Sequence, residues 1–213
     1  MIKLGPLYNK PFEYEVLEDF LKEDNIQFIF NNLRNVQFED TDKINLTYKN
    51  TETNEEDNFR RTRIKWLAFN DIWRGLYGDV LEQVHRSNSN LWKFDLKQLR
   101  ERFQYTEYHA SENGHYDWHV DVGNDDATSY RKISVTIQLS HPDEYEGGDL
   151  QIFESSDDFI SEREDKSQIP YRVVDRGLGT MAIFPSYVVH RVTPVTKGVR
   201  KSLVLWVGGK PFK

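Results

Sequence analysis

The 213-residue chain contains no cysteine. This excludes a disulfide framework, cysteine-ligated zinc, iron–sulfur clusters and thiol catalysis, and it suits a reducing compartment such as the cytoplasm. A basic surface is missing too. The 28 Lys and Arg stand against 35 Asp and Glu, for a net charge of −7, and the isoelectric point is near 5.4. That balance argues against charge-driven binding to nucleic acid or to anionic membranes. No apolar run approaches the roughly 20 residues of a membrane-spanning helix. Residues 1–20 lack a basic stretch followed by an apolar one, so no secretory signal is expected. Aromatic residues, by contrast, are plentiful: 13 Phe, 11 Tyr and 5 Trp. They supply apolar bulk for a core despite a mean hydropathy of −0.73. The length fits one large domain spanning 1–213.

Helical signals come first. Leu17, Phe20, Leu21, Ile26, Ile29, Phe30 and Leu33 recur at helical spacing and predict a helix over 17–33. Residues 35–58 are polar and read as a short hairpin or loop. Arg60, Arg61, Arg63 and Lys65 read as a solvated or salt-bridged face. Asp71 is placed to cap a second helix over 72–86, whose stripe is Ile72, Trp73, Leu76, Tyr77, Val80, Leu81 and Val84. After Asn88 strands dominate, over 92–96, 100–109, 115–122, 130–140, 149–153, 170–174, 180–184 and 199–207. Gly-containing turns separate several of them. Residues 154–168 are highly charged and read as a surface loop. The expectation is an α+β chain, mainly β: helical support over about 1–90 and a double-stranded β-helix (jelly roll) barrel over about 91–213.

The chemistry is carried by the run His115-Tyr116-Asp117-Trp118-His119-Val120-Asp121-Val122. As a strand it sends His115, Asp117, His119 and Asp121 to one face, and Tyr116, Trp118, Val120 and Val122 to a core face. His119 and Asp121 then project together. His190 follows far downstream, and Arg200 ten residues after it. Two imidazoles and one carboxylate make the set that holds a non-heme Fe(II) on one face and leaves its other positions open. An arginine nearby supplies a fixed, bidentate cation for an acidic co-substrate. An isolated His-x-Asp on a solvated strand is common by chance. It is the combination with His190 and Arg200 that carries weight.

The wider pattern includes Tyr108, Arg131-Lys-Ile-Ser-Val-Thr-Ile-Gln138, Glu146-Gly147-Gly148-Asp149-Leu150 and Gly177-Leu-Gly179. It ends in His190-Arg-Val-Thr-Pro194-Val-Thr-Lys-Gly198-Val-Arg200, with Trp206 beyond. From about Leu96 to Gly209 it resembles the 2-oxoglutarate- and Fe(II)-dependent dioxygenases, in particular the prolyl-4-hydroxylase-like branch with its PKHD-type hydroxylases. The resemblance implies His119, Asp121 and His190 as iron ligands. It implies Arg200 as partner of the distal carboxylate of 2-oxoglutarate, with Tyr108 a second contact. Lys201 is the rival anchor but falls on the opposite face of its strand. Gln138 and Thr136 are weaker candidates for contact, Tyr116 is a candidate to face substrate, His115 to support the ligands, and Trp118 to fill the core. The implied activity is hydroxylation of an amino-acid side chain by O2, peptidyl proline among the candidates, with release of succinate and CO2. Ascorbate is a further expected cofactor. The alternatives are a hydroxylase of a small free metabolite, a non-catalytic metal- or ligand-binding barrel, and a zinc hydrolase. The last lacks a His-Glu-x-x-His helix.

Overall fold

The computed structural model describes residues 14–36, 43–49, 56–97, 99–154 and 170–210. Strand β1 (Glu15–Leu17) precedes helix α1 (Glu23–Leu33). The hairpin strands β2 (Lys43–Lys49) and β3 (Glu56–Leu67) lead to helix α2 (Arg74–Asn90). Then come β4 (Phe103–His109), β5 (His115–His119), β6 (Arg131–Gln138), β7 (Tyr145–Gly147), β8 (Leu150–Phe153), β9 (Tyr171–Val173), β10 (Met181–Pro185), β11 (His190–Val192) and β12 (Val195–Gly208). One curled sheet takes the order β1-β10-β6-β12-β4-β3-β5-β11-β8-β9, with β2 on β3 and β7 on β12. The strand pairings are antiparallel. This is the expected mainly-β jelly roll with helices in support.

Alternation along β6 and β12 builds two different faces. Ile133, Val135 and Ile137 of β6 share one core with Leu203, Leu205 and Val207 of β12, and Ile26, Ile29, Val80 and Val84 of the helices pack into it. Each such side chain, fully removed from water, contributes roughly 1.5–3 kcal/mol. The intervening Ser134, Thr136 and Gln138 of β6, and Arg200, Ser202, Val204 and Trp206 of β12, face the concave side. A second, smaller core closes that side with Tyr108, Leu150, Ile152, Phe184, Val188 and Val192. The sheet therefore has an oily back and a largely polar hollow.

Several expected boundaries move, each for a local reason. The first helix starts at Glu23 because residues 15–17 pair with β10 instead, and the Leu21 N–H donates to Gly179 O at 3.1 Å. Asp71 does not cap the second helix. Asn70 Oδ1 accepts from the Trp73 N–H at 3.3 Å, while Asp71 makes a surface ion pair with Arg74. Residues 92–95 form no strand, since Asn88 satisfies the Phe94 backbone through both its amide groups, and only a bridge from Leu96 to Gly209 remains. Part of the polar 35–58 segment is the β2–β3 hairpin, and its residues 37–42 and 50–55 lie outside the described residues. Of the charged 154–168 segment only Glu154 is described, ion-paired with Arg172. Strands β7 and β11 were not anticipated, and β12 begins four residues early. Among the described residues no helix is long and apolar enough to cross a membrane.

Candidate metal centre and its cavity

Strand β11 lies beside β5, with His190 directly opposite His119. That register brings the two imidazole centroids to 4.1 Å. The next matched pair is Val192 with Tyr116, so two steps on β11 correspond to three on β5. The extra residue is a β-bulge, which breaks the two-residue alternation. In consequence Tyr116 and His119 share a side and stack, with ring centroids 3.4 Å apart at 12°. The face assignment expected for this run fails here. Asp117 and Val120 are exposed. Trp118 is no core residue: it packs outside against Tyr171, under the Arg191 guanidinium at 4.5 Å.

Asp121 lies just past the end of β5, held by its own backbone. Its N–H and that of Val122 both donate to Ser186 O, at 2.9 and 3.1 Å, and its carbonyl accepts from Arg131 Nη1 at 3.1 Å. Arg131 is fixed in turn by a close ion pair with Glu101. The Asp121 carboxylate accepts from Ser134 Oγ at 2.7 Å. It lies 3.7 Å from His119 Nε2 and 3.5 Å from His190 Nε2. One donor atom from each of the three residues falls within 4.8 Å of the others, a spacing that could hold one metal ion.

Protonation is arranged to suit a cation. His119 Nδ1 lies 2.7 Å from Asp117 O, and His190 Nδ1 lies 2.9 Å from Val188 O. A carbonyl can only accept, so each Nδ1 carries a proton and each Nε2 is the atom turned toward Asp121. Burial, aided by the charge of His190, pushes the His119 pKa down to about 3, so its imidazole is neutral. Burial alone would raise the Asp121 pKa. His190, His119, the Ser134 hydroxyl and the Trp206 indole outweigh it and hold the carboxyl below its ordinary value. A neutral His119 and an ionised Asp121 are states a divalent metal requires, and with His190 they make a nitrogen–oxygen set, open on one side, that fits Fe(II).

The three donors line a small cavity with Tyr108, Phe184, Arg200 and Trp206 in its wall. Arg200 is 4% exposed. Its Nη1 donates to Ser202 Oγ at 3.2 Å, and its guanidinium sits 5.6 Å from the ring of Tyr108, its cross-strand partner. Among the described residues it has no carboxylate partner, which is costly for a buried cation unless an anion is expected there. Gly148, at φ +65, makes room: a Cβ there would lie 3.1 Å from Arg200 Cδ. The pocket thus offers a buried cation to an anion. Lys201 points away to the helical side, its Nζ 5.3 Å from the Phe30 ring. Thr136 also lines the cavity, whereas Gln138 lies behind Arg200 and donates to Tyr145 OH at 2.9 Å. His115 is turned elsewhere, its Nδ1 2.6 Å from Asn113 O.

One wall residue escaped sequence reasoning. Arg60 belongs to the basic cluster expected to be solvated or salt-bridged. That holds for Arg63, which forms two bonds to Glu112. Arg60 instead is 9% exposed and lines the metal cavity. Its Nη2 donates to Gln104 at 2.9 Å, and its guanidinium lies 4.4 Å over the Tyr116 ring. The available signal was the strand period: Arg60, Thr62 and Ile64 are buried, while Arg61, Arg63 and Lys65 are less so.

Comparison with known proteins agrees with this geometry. Residues 103–208 match the 2OG-Fe(II) oxygenase superfamily. A PKHD-type hydroxylase of Xylella fastidiosa is 38% identical over 105 residues, 45% of this chain and 40% of that one. A second, from Hyphomonas neptunium, is 35% identical over 101 residues, 46% of this chain and 39% of that one. The chain thus spans about two fifths of the length of the curated relatives it matches. Among solved structures, a Pseudomonas putida prolyl-4-hydroxylase superposes with a TM-score of 0.63 at 19% identity, covering 93% of both chains. A Trichoplax adhaerens prolyl hydroxylase, solved with a hypoxia-inducible-factor peptide, gives 0.65 at 17%, covering 92% of this chain and 83% of that one. At these identities the two structures attest the fold.

Proposed function

The chain belongs to the 2OG-Fe(II) oxygenase superfamily, and we propose that it is an Fe(II)- and 2-oxoglutarate-dependent dioxygenase that hydroxylates an amino-acid side chain, releasing succinate and CO2. The observation that carries this reading is the buried Arg200, without a carboxylate partner among the described residues, in the same cavity as two imidazoles and one carboxylate. We assign His119, Asp121 and His190 as the iron ligands. Arg200 would receive the distal carboxylate of 2-oxoglutarate, with the Tyr108 ring forming the wall beside it. The iron would supply the oxidising power for an unactivated C–H bond from O2.

The protein's own part is positioning. Val188 O and Asp117 O hold the imidazole tautomers. Ser134 and the backbone of Ser186 fix Asp121, so the ligand face is set before any ion arrives. Phe184, with its ring 4.7 Å from that of His190, and Val192 keep water from that side. A peptide substrate is supported by the Trichoplax adhaerens prolyl hydroxylase, which was solved with a peptide, and peptidyl proline is among the candidates. Ascorbate as a reductant, and the cytoplasm as a compartment that keeps iron ferrous, complete the reading. A hydroxylase of a free metabolite and a non-catalytic barrel are its rivals. Succinate formation that needs both Fe(II) and 2-oxoglutarate is the expected result. Screening peptides and free amino acids by mass spectrometry for a gain of one oxygen would identify the acceptor. No succinate under any of these conditions would overturn the reading.

A further inference from the structure

The cavity wall contains two buried guanidiniums, and 2-oxoglutarate accounts for only one of them. We propose that Arg60 binds a carboxylate of the primary substrate, so that the acceptor is a molecule with a free carboxylate close to the oxidised carbon: a free amino acid or the C-terminal residue of a peptide. This inference rests on the function proposed above.

Charge and hydrogen bonding support it separately. Fe(II) brings two positive charges, Arg60 and Arg200 one each, and Asp121 one negative charge. The dianion 2-oxoglutarate cancels two of the three that remain. One positive charge is left over among buried groups, and a substrate carboxylate would neutralise it. A neutral substrate would leave it uncompensated. The local geometry locates that charge at Arg60. Its only side-chain hydrogen bond among the described residues is to the neutral amide oxygen of Gln104, at 2.9 Å. Its buried Nε has no hydrogen-bond partner among the described residues. No carboxylate of the described residues lies within ion-pair distance. The guanidinium lies over Tyr116, 4.4 Å from the ring centroid, and Tyr116 is stacked on His119. That contact holds the fork close to the candidate metal site, where a guanidinium can take a carboxylate bidentately.

A purely structural arginine, clamping Tyr116, is the competing account. It predicts no preference between acids and amides. The test therefore uses free amino acids and N-acetylated dipeptides, each as the acid and as its C-terminal amide. Binding is measured by calorimetry to protein loaded with 2-oxoglutarate and redox-inert Mn(II). At least one acid should bind about 30-fold or more tightly than its own amide. Arg60→Gln should erase that ratio, and Arg60→Lys should restore part of it. The free acids and the dipeptide acids, compared with each other, distinguish the two sources. A panel in which no acid outbinds its amide overturns the proposal. So does an Arg60→Gln protein that keeps the ratio, or one whose defect is confined to 2-oxoglutarate affinity. If iron-dependent succinate forms while the ratio is absent, only the Arg60 inference falls. If succinate never forms, it is the enzymatic reading that fails.

Discussion

Ser134→Ala removes one hydroxyl from beneath the metal centre and tests how the carboxylate is held. Ser134 Oγ donates to Asp121 Oδ2 at 2.7 Å and lies 3.0 Å from Ser186 Oγ, and both serines are buried. A hydrogen bond to a charged group contributes about 1.5–3 kcal/mol. The Trp206 indole, which has no full hydrogen-bond partner of its own, is a weaker substitute. The metal-free protein should therefore lose roughly 1–3 kcal/mol, or about 2–10 °C in Tm for a chain of this size. Freed to rotate, the carboxylate should also bind metal about 10- to 100-fold more weakly, the usual effect of losing an orienting partner behind a ligand. Anaerobic calorimetry with Fe(II) or Mn(II) gives the affinity, and scanning calorimetry gives the Tm. The fold should survive, since alanine fills nearly the same space. Metal affinity within twofold of the wild type, in a folded variant, would refute the idea that Ser134 positions Asp121.

Replacing His119, Asp121 or His190 with Ala should abolish metal binding and 2-oxoglutarate turnover, and turnover retained in His190→Ala would sink the ligand assignment. Arg200→Ala should weaken 2-oxoglutarate binding by roughly 30- to several-thousand-fold while metal stays bound, and Lys201→Ala should do much less; calorimetry showing the reverse order would move the anchor to Lys201. Gly179 adopts φ +77, and a Cβ there would come within 2.0 Å of Leu21 O. Gly179→Ala should therefore cost roughly 2–5 kcal/mol and lower the Tm by about 5–15 °C. Burial alone would raise the Glu107 pKa, but the Tyr105 hydroxyl and His109 hold it below 4.5. A depressed carboxyl adds stability above that ordinary value and loses it as the pH falls below it. Thermal melts of Glu107→Gln should accordingly lose less stability than wild type on going from neutral pH to below 4.5.

The fold class and the three metal-binding candidates were legible because they rest on patterns that survive local irregularity. Alternation along β6 and β12 identifies an apolar back and a polar hollow from the letters alone. The order His119, Asp121, His190, Arg200 likewise needs no dihedral angle to be read. What was not legible depended on interactions between distant segments. The bulge in β5 is set by its pairing with β11, and without it Tyr116 is assigned to the wrong face and Trp118 to the core. Arg60 looked like one member of a basic cluster: the strand period separates it from Arg61, Arg63 and Lys65, but only its pairing opposite Tyr116 of β5 shows that its side is the inward one. Asn88, in the last turn of α2, takes up both backbone groups of Phe94 with a single side chain, which no strand propensity foretells.

Strand β12 enters the sheet between β4 and β6, both of which precede it by many residues. During synthesis those two strands would wait with open hydrogen-bonding edges until residues 195–208 have left the ribosome. Such edges are templates for pairing with other chains. Arg200 arrives with the strand that covers them, so the cavity it lines can form only as the main sheet closes. Damage to β12 should therefore be seen first as low soluble yield, and only secondarily as a kinetic defect.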